Sequence, residues 1–145
     1  TALSLRLDHL VSQPFKVACD PSTIARLARL LATNAPPDLT LGQFRLLGLL
    51  SGGDERSTAL AERMAVAKPT VTSLVDGLVE RDLVARETAP DDRRVVRVAI
   101  TSAGRDAFHA ADAHFAALFD DVLGRCPEPD AVLRTFDDLR QALDL

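Results

Sequence analysis

The sequence predicts a mainly α-helical fold carrying one small β-hairpin. Three observations predict it. Apolar residues recur at i, i+3, i+4 spacing in successive segments on both sides of residues 83–100. Two β-prone runs, Leu83 to Thr88 and Val95 to Ile100, flank the turn-forming stretch Ala89-Pro90-Asp91-Asp92-Arg93-Arg94. Helix-start residues (Pro21, Thr40, Ser57, Pro69, Thr101) stand immediately ahead of or inside the first turn of the apolar-periodic runs.

In chain order, Leu3, Leu7, Leu10 and Val11 suit either a short amphipathic helix or a disordered arm. Asp20 before Pro21 starts a helix whose stripe is Ile24, Leu27, Leu30 and Leu31, ending near Pro36-Pro37. Thr40 and Gln43 have capping-box spacing, with Leu39 and Phe44 placed as a hydrophobic staple. Ser57 is read as the cap of a helix burying Leu60, Ala61 and Met64, and Ala65-Val66-Ala67 as a tight break. A second helix opens at Lys68-Pro69 and lines up Val71, Leu74, Val75, Leu78 and Val79. After the hairpin, Thr101 or Ser102 caps a long helix with Phe108, Ala111, Phe115, Leu118, Phe119 and Val122 inward, ending at Gly124. A last helix follows Pro127 and Pro129, with Val132, Leu133, Phe136, Leu139 and Leu143 along one side.

Two short helices at a tight turn, then a hairpin, form a winged helix-turn-helix pattern. The second helix turns Pro69, Ser73, Asp76 and Glu80 away from its apolar stripe, with Thr70 and Thr72 on the flanks. Short hydroxyl side chains can approach phosphates or base edges without filling a major groove, and Lys68 adds charge at the helix end that already favours anions. Arg93 and Arg94 at a projecting tip suit a narrow minor groove, with Asp92 expected to orient an arginine.

The 145 residues carry a net charge of −4 and are 47% hydrophobic, which suits one domain over residues 1–145. Charge is uneven: residues 56–105 hold nine basic and seven acidic groups, and residues 106–145 three and nine. Attraction to phosphate is therefore expected in the middle of the chain, with the acidic C-terminal part turned away. No apolar stretch nears the roughly 20 residues that span a bilayer, and no signal-peptide pattern is recognised, so a cytoplasmic protein without membrane association is expected. Cys19 and Cys126 make no disulfide scaffold, His109 and His114 are poorly spaced to share a metal, and neither a phosphate loop nor a nucleophile elbow is present. No catalytic residue, cofactor or metal is expected.

Leu39-Thr40-Leu41-Gly42-Gln43-Phe44, Leu60-Ala61, Pro69-Thr70-Val71-Thr72, Leu83-Val84-Ala85-Arg86, Asp92-Arg93-Arg94 and Thr101-Ser102-Ala103-Gly104 occur in the order and spacing of the MarR family, which this chain resembles over about residues 39–104. The resemblance implies a homodimeric transcriptional regulator, a repressor in the first reading, which binds a palindromic operator in double-stranded DNA and is relieved by a small aromatic or phenolic ligand. It makes residues 39–101 the DNA-binding lobe and residues 1–38 and 102–145 the dimerisation helices.

Carried over by position, it gives DNA contacts to Pro69, Thr70, Thr72, Ser73 and Arg94, to which the residue reading adds Ser57, Lys68 and Arg93. Wing support falls to Arg86 and Asp92. A ligand between the dimerisation helices and the lobe would meet Phe44, Leu47, Phe108 and His109. The chain departs from the family pattern at Ala67, where a capping Ser is common, at Ser73 and Gly77, where long basic side chains are frequent, and at Asp82 in place of Gly. Two alternatives stand beside this reading. Cys19 could act as an oxidation sensor, although the chain has no Tyr to orient it and Asp20 raises a neighbouring thiol's pKa. The scaffold could instead serve protein interaction without DNA.

Overall fold

The computed structural model describes residues 21–89 and 92–143; the side chains at 89, 92–95 and 143 lie outside that description. Among the described residues, six helices and three strands follow in the order α1 (Pro21–Thr33), α2 (Leu41–Leu50), β1 (Glu55–Arg56), α3 (Ser57–Met64), α4 (Lys68–Val79), β2 (Val84–Ala89), β3 (Asp92–Ile100), α5 (Ser102–Leu123) and α6 (Pro129–Leu143). The chain divides into two compact units, Thr1–Leu30 and Leu31–Leu145, and the second carries every element from α2 onward. In the first unit, the described part of α1 buries no residue, and Ile24 is 61% exposed.

The expected capping box is present at α2. Thr40 Oγ1 accepts from the Gln43 N–H, while Gln43 Oε1 accepts from the Thr40 N–H at 3.1 Å. That reciprocal pair fixes where α2 begins and delivers Leu46, Leu47 and Leu50 to the core. They meet Leu60 of α3, Val71, Val75 and Leu78 of α4 and Val98 of β3, each no more than 1% exposed. Each such burial contributes roughly 1.5–3 kcal/mol of transfer free energy. Three helices thus pack on a small sheet around one core.

The sheet differs from the sequence reading in two respects. A two-residue strand, β1, joins the hairpin and makes an antiparallel sheet of order β1-β3-β2, with Glu55 opposite Val98 and Arg56 opposite Arg97. The second hairpin strand is also longer than expected, running Asp92–Ile100, while the first is shifted by one residue to Val84–Ala89. Ala89 pairs with Asp92 after a register shift at Thr88/Ala89, so the ladder runs on to 89 and 92, and positions 93–95 lie within β3 at the irregularity between the Thr88–Val96 and Ala89–Asp92 pairs. Arg93 and Arg94 therefore belong to β3, beside the tip.

The helix starts show a parallel correction. Ser57 is the first residue of α3 and not its cap; Arg56 occupies the cap position with no side-chain cap bond. The cause is β1, because Arg56 is held extended in the ladder (φ −74°, ψ 143°) and the chain passes directly from strand to helix. At α5 the cap is Thr101, whose Oγ1 accepts from the Gly104 N–H at 3.0 Å. The last helix opens on Pro129 itself. Along α5, Ala111 and Phe115 are buried as expected, joined by Leu123, which the sequence stripe omitted.

Candidate nucleic-acid interface

The turn between α3 and α4 is built without glycine. Ala65 adopts φ 55°, the Ala65 N–H donates to Glu62 O, and the Val66 N–H donates to Ala61 O, the paired bonds of a Schellman ending. The exit of α4 repeats the device. Asp82 stands at φ 56°, its N–H donating to Val79 O and the Leu83 N–H to Leu78 O. Both ends hold α4 in a fixed orientation over the core, and Val71, Val75 and Leu78 face inward as the spacing predicts.

The opposite face of α4 is open. Lys68, Pro69, Thr72, Ser73, Asp76, Gly77 and Glu80 line a shallow depression of about 740 Å3. Thr70 is exposed beside it. The Thr72 hydroxyl donates to Lys68 O at 3.1 Å, so its proton is used within the helix and its lone pairs remain to accept from an amino group. Charge is graded along the face. Lys68 stands at the N-terminal end, where helix N–H groups already favour anions, while Glu80 lies at the other end.

Asp76 does not stand free on this face. It forms an ion pair with Arg86 of β2, which ties the wing to the helix. Sequence reasoning placed Arg86 as a support for the wing but did not find its partner, because pairing across two elements leaves no local pattern. Ser57 is half-exposed in the first turn of α3. The side chains of Asp92, Arg93 and Arg94, and with them the expected pairing of Asp92 with an arginine, lie outside the described residues. So does Cys19.

Of the ligand candidates, the structure brings Phe44 and Phe108 together as stacked rings with centroids 5.1 Å apart, and Phe115 lies 4.8 Å from Phe44. His109 is exposed, with its ring 5.7 Å from Phe108. Leu47 is fully buried in the core. His114 Nε2 lies 2.7 Å from Asn34 O, and no group of three potential metal ligands occurs among the described residues. The Cys126 thiol is half-buried and donates to Val122 O at 3.6 Å. No helix among the described residues is long and apolar enough to cross a membrane.

Residues 38–95, which span α2, β1, α3, α4, β2 and the first part of β3, match the MarR family. The chain carries a MarR-family domain. It is 34% identical over 70 residues to the HTH-type transcriptional repressor YetL of Bacillus subtilis, covering 46% of this chain and 42% of that protein. Against the curated relatives it matches, the chain spans about half their length. Among solved structures it resembles wild-type MarR of E. coli in its apo form, with a TM-score of 0.72 at 22% identity over 88% of this chain and 98% of that one. It also resembles CouR of Rhodococcus jostii RHA1, solved bound to p-coumaroyl-CoA, with a TM-score of 0.68 at 25% identity over 85% and 87% of the two chains. Those neighbours share the winged-helix fold of this MarR-family domain, and its relatives are named as regulators and not as enzymes.

Proposed function

We propose that the chain is a sequence-specific DNA-binding transcriptional regulator. Two copies read a palindromic operator, each placing α4 in a major groove and its wing against the neighbouring backbone. The observation that carries this is the open outer face of α4, where Lys68, Pro69, Thr72 and Ser73 gather at the N-terminal half of a helix pinned at both ends. Thr70 and Ser57 add contacts from the flanks, and Arg93 and Arg94 from the wing. Repression is the sense favoured by the relative named a repressor, and the work belongs in the cytoplasm, where the DNA of a bacterial-type regulator lies.

Residues 39–101 then form the reading lobe, and residues 1–38 and 102–145 the dimer contacts. An apolar face on α6 supports that division: Leu133, Phe136 and Leu139 are 39–50% exposed, and helical spacing sets exposed Arg134, Asp138 and Gln141 on the other side. A second copy would cover that face. A small aromatic effector would act at Phe44, Leu47, Phe108 and His109; the ligand of CouR, p-coumaroyl-CoA, carries an aromatic acyl group on a much larger coenzyme. The stacked pair Phe44 and Phe108 supplies a flat apolar seat, with the exposed His109 at its edge.

Selection of duplexes from a random pool, followed by fluorescence anisotropy, tests this reading. The expected outcome is an enriched palindrome bound by a dimer, with Arg94→Ala losing at least tenfold in affinity while remaining dimeric. A chain that enriches no duplex, or an R94A variant that binds as well as the parent, would overturn it.

A further inference from the structure

Gly77 stands in the interior of α4, where glycine costs about 1 kcal/mol relative to alanine, and it lines the open outer face. A Cβ built there would meet a single neighbour, Gln43 Nε2 of α2, at 3.3 Å, closer than ordinary van der Waals contact. The missing side chain at Gly77 is therefore what lets the Gln43 amide rest against the flank of the helix. The amide is also oriented. Gln43 Oε1 accepts from the Thr40 N–H at 3.1 Å, which holds the oxygen toward the start of α2 and leaves the NH2 group facing α4 beside Gly77. Nε2 has no hydrogen-bond partner among the described residues, and Gln43 is only half-buried.

We infer that Gln43 is a further DNA-contacting residue, whose Nε2 donates to a backbone phosphate at the edge of the groove occupied by α4. Gly77 keeps that donor's seat open. The inference rests on the DNA-binding reading above. A phosphate fits better than a base edge. Gly77 lies in the third turn of α4, beyond the N-terminal residues Lys68 to Ser73 that would enter the groove, and Gln43 reaches it from a neighbouring helix. The chemistry also suits a phosphate, since Nε2 offers two donors and no acceptor. Because Oε1 is already fixed by the capping box, little side-chain freedom remains to be lost on binding. A neutral donor contributes without releasing a counterion, so its loss lowers affinity equally for all sequences and leaves the salt dependence unchanged.

The capping box makes the two roles of Gln43 separable. Glutamate serves at this position of the box as well as glutamine, but it has no donor and carries a charge that repels phosphate. Lysine loses the acceptor and keeps a donor. The expected pattern for Gln43→Glu is an unchanged melting temperature with at least a tenfold loss of binding to a mixed-sequence 40-base-pair duplex at low salt. For Gln43→Lys it is a lowered melting temperature with binding kept or raised. Gly77→Ala is expected to leave the melting temperature unchanged or higher and to weaken binding about fivefold, the worth of one neutral hydrogen bond, with the same log–log salt slope as the parent.

A purely structural Gln43 reverses the ranking: Q43E then binds as the parent does, and Q43K loses binding in step with stability. Either result overturns the inference. If the parent chain itself binds no duplex, the DNA-binding reading falls and this inference with it. If the parent binds and Q43E binds equally, only the inference about Gln43 falls.

Discussion

Arg86 of β2 is paired with Asp76 of α4, so the wing and the recognition helix are joined by a charge contact on the face that the helix presents outward. Both side chains are about half exposed, 41% and 50%. In that setting an ion pair contributes roughly 0–1 kcal/mol to stability. Its consequence is geometric. Two surfaces that must meet one duplex together are held at a set separation, and Asp76, which would otherwise repel phosphate, is neutralised by the partner that does the holding.

Arg86→Ala is accordingly expected to leave stability within about 0.5 kcal/mol of the parent in urea unfolding. Operator affinity should fall by roughly tenfold, because the variant leaves Asp76 unpaired beside the DNA and the wing untied. Asp76→Asn separates the two effects. It also unties the wing but removes the repulsive charge, so binding to non-specific duplex should hold or rise while the ratio of operator to non-specific affinity drops. Parallel titrations with both duplexes at one salt concentration check this, and equal losses on both duplexes for D76N would sink the account.

Gly104 offers a sharper test of packing. It lies in the first turn of α5, and a Cβ there would fall 2.0 Å from Leu83 O and 2.9 Å from Ile100 Cγ1. The crowding follows from the cap: Thr101 Oγ1 accepts from the Gly104 N–H and donates to Asp82 O, while the Thr101 N–H donates to Leu83 O at 3.1 Å. An alanine in a helix ordinarily stabilises by about 1 kcal/mol relative to glycine. Here the methyl would have to push apart the backbone that joins the sheet to α5, and overpacking of that kind costs roughly 1–3 kcal/mol or more. Gly104→Ala is expected to destabilise by at least about 2 kcal/mol in thermal or urea unfolding. A neutral or stabilising result would mean the helix start can shift.

The contrast between Gly104 and Gln43 shows which features were legible in the sequence. The capping box of Thr40 and Gln43 and the proline opening of α4 are local, with cause and effect lying within one helical turn, and they could be read in advance. The outer face of α4 followed from its inner stripe by rotation alone. The strand β1 could not be read, because two residues carry no periodicity and the strand exists only through a partner far along the chain, Val98 and Arg97. The same applies to Arg86 and Asp76, and to Gly104, which looks like an ordinary helix glycine until the Leu83 carbonyl is placed beside it. Ser57 was misread for a related reason: its position suits a cap, but the ladder at Arg56 had already taken that place.

The two glycine-free helix endings predict gains. Ala65 and Asp82 hold φ near 55°, a region that costs a side-chain-bearing residue roughly 1–2 kcal/mol. Ala65→Gly should stabilise by about 0.5–1 kcal/mol after the added freedom of the unfolded chain is counted. Asp82→Gly should give less, because Asp tolerates the left-handed region better than Ala does. Calorimetric melting of the two variants checks both the sign and the order. A greater gain for D82G than for A65G would contradict the argument.

The start of α4 leaves a different opportunity. Ala67 already holds the extended backbone of a cap (φ −67°, ψ 146°) but has no side-chain acceptor. Pro69 has no N–H, so the Thr70 N–H is the donor within reach of a capping hydroxyl, and at present it donates to Ala67 O at 3.0 Å. Ala67→Ser should therefore stabilise by about 1 kcal/mol without altering the backbone. If the first turn of α4 frays before DNA arrives, the same cap removes part of the ordering cost of binding, and operator affinity should rise severalfold with the melting temperature. A higher melting temperature with unchanged affinity would show instead that Pro69 alone keeps the turn formed, whereas a lower one would show that the Thr70 N–H cannot leave its carbonyl.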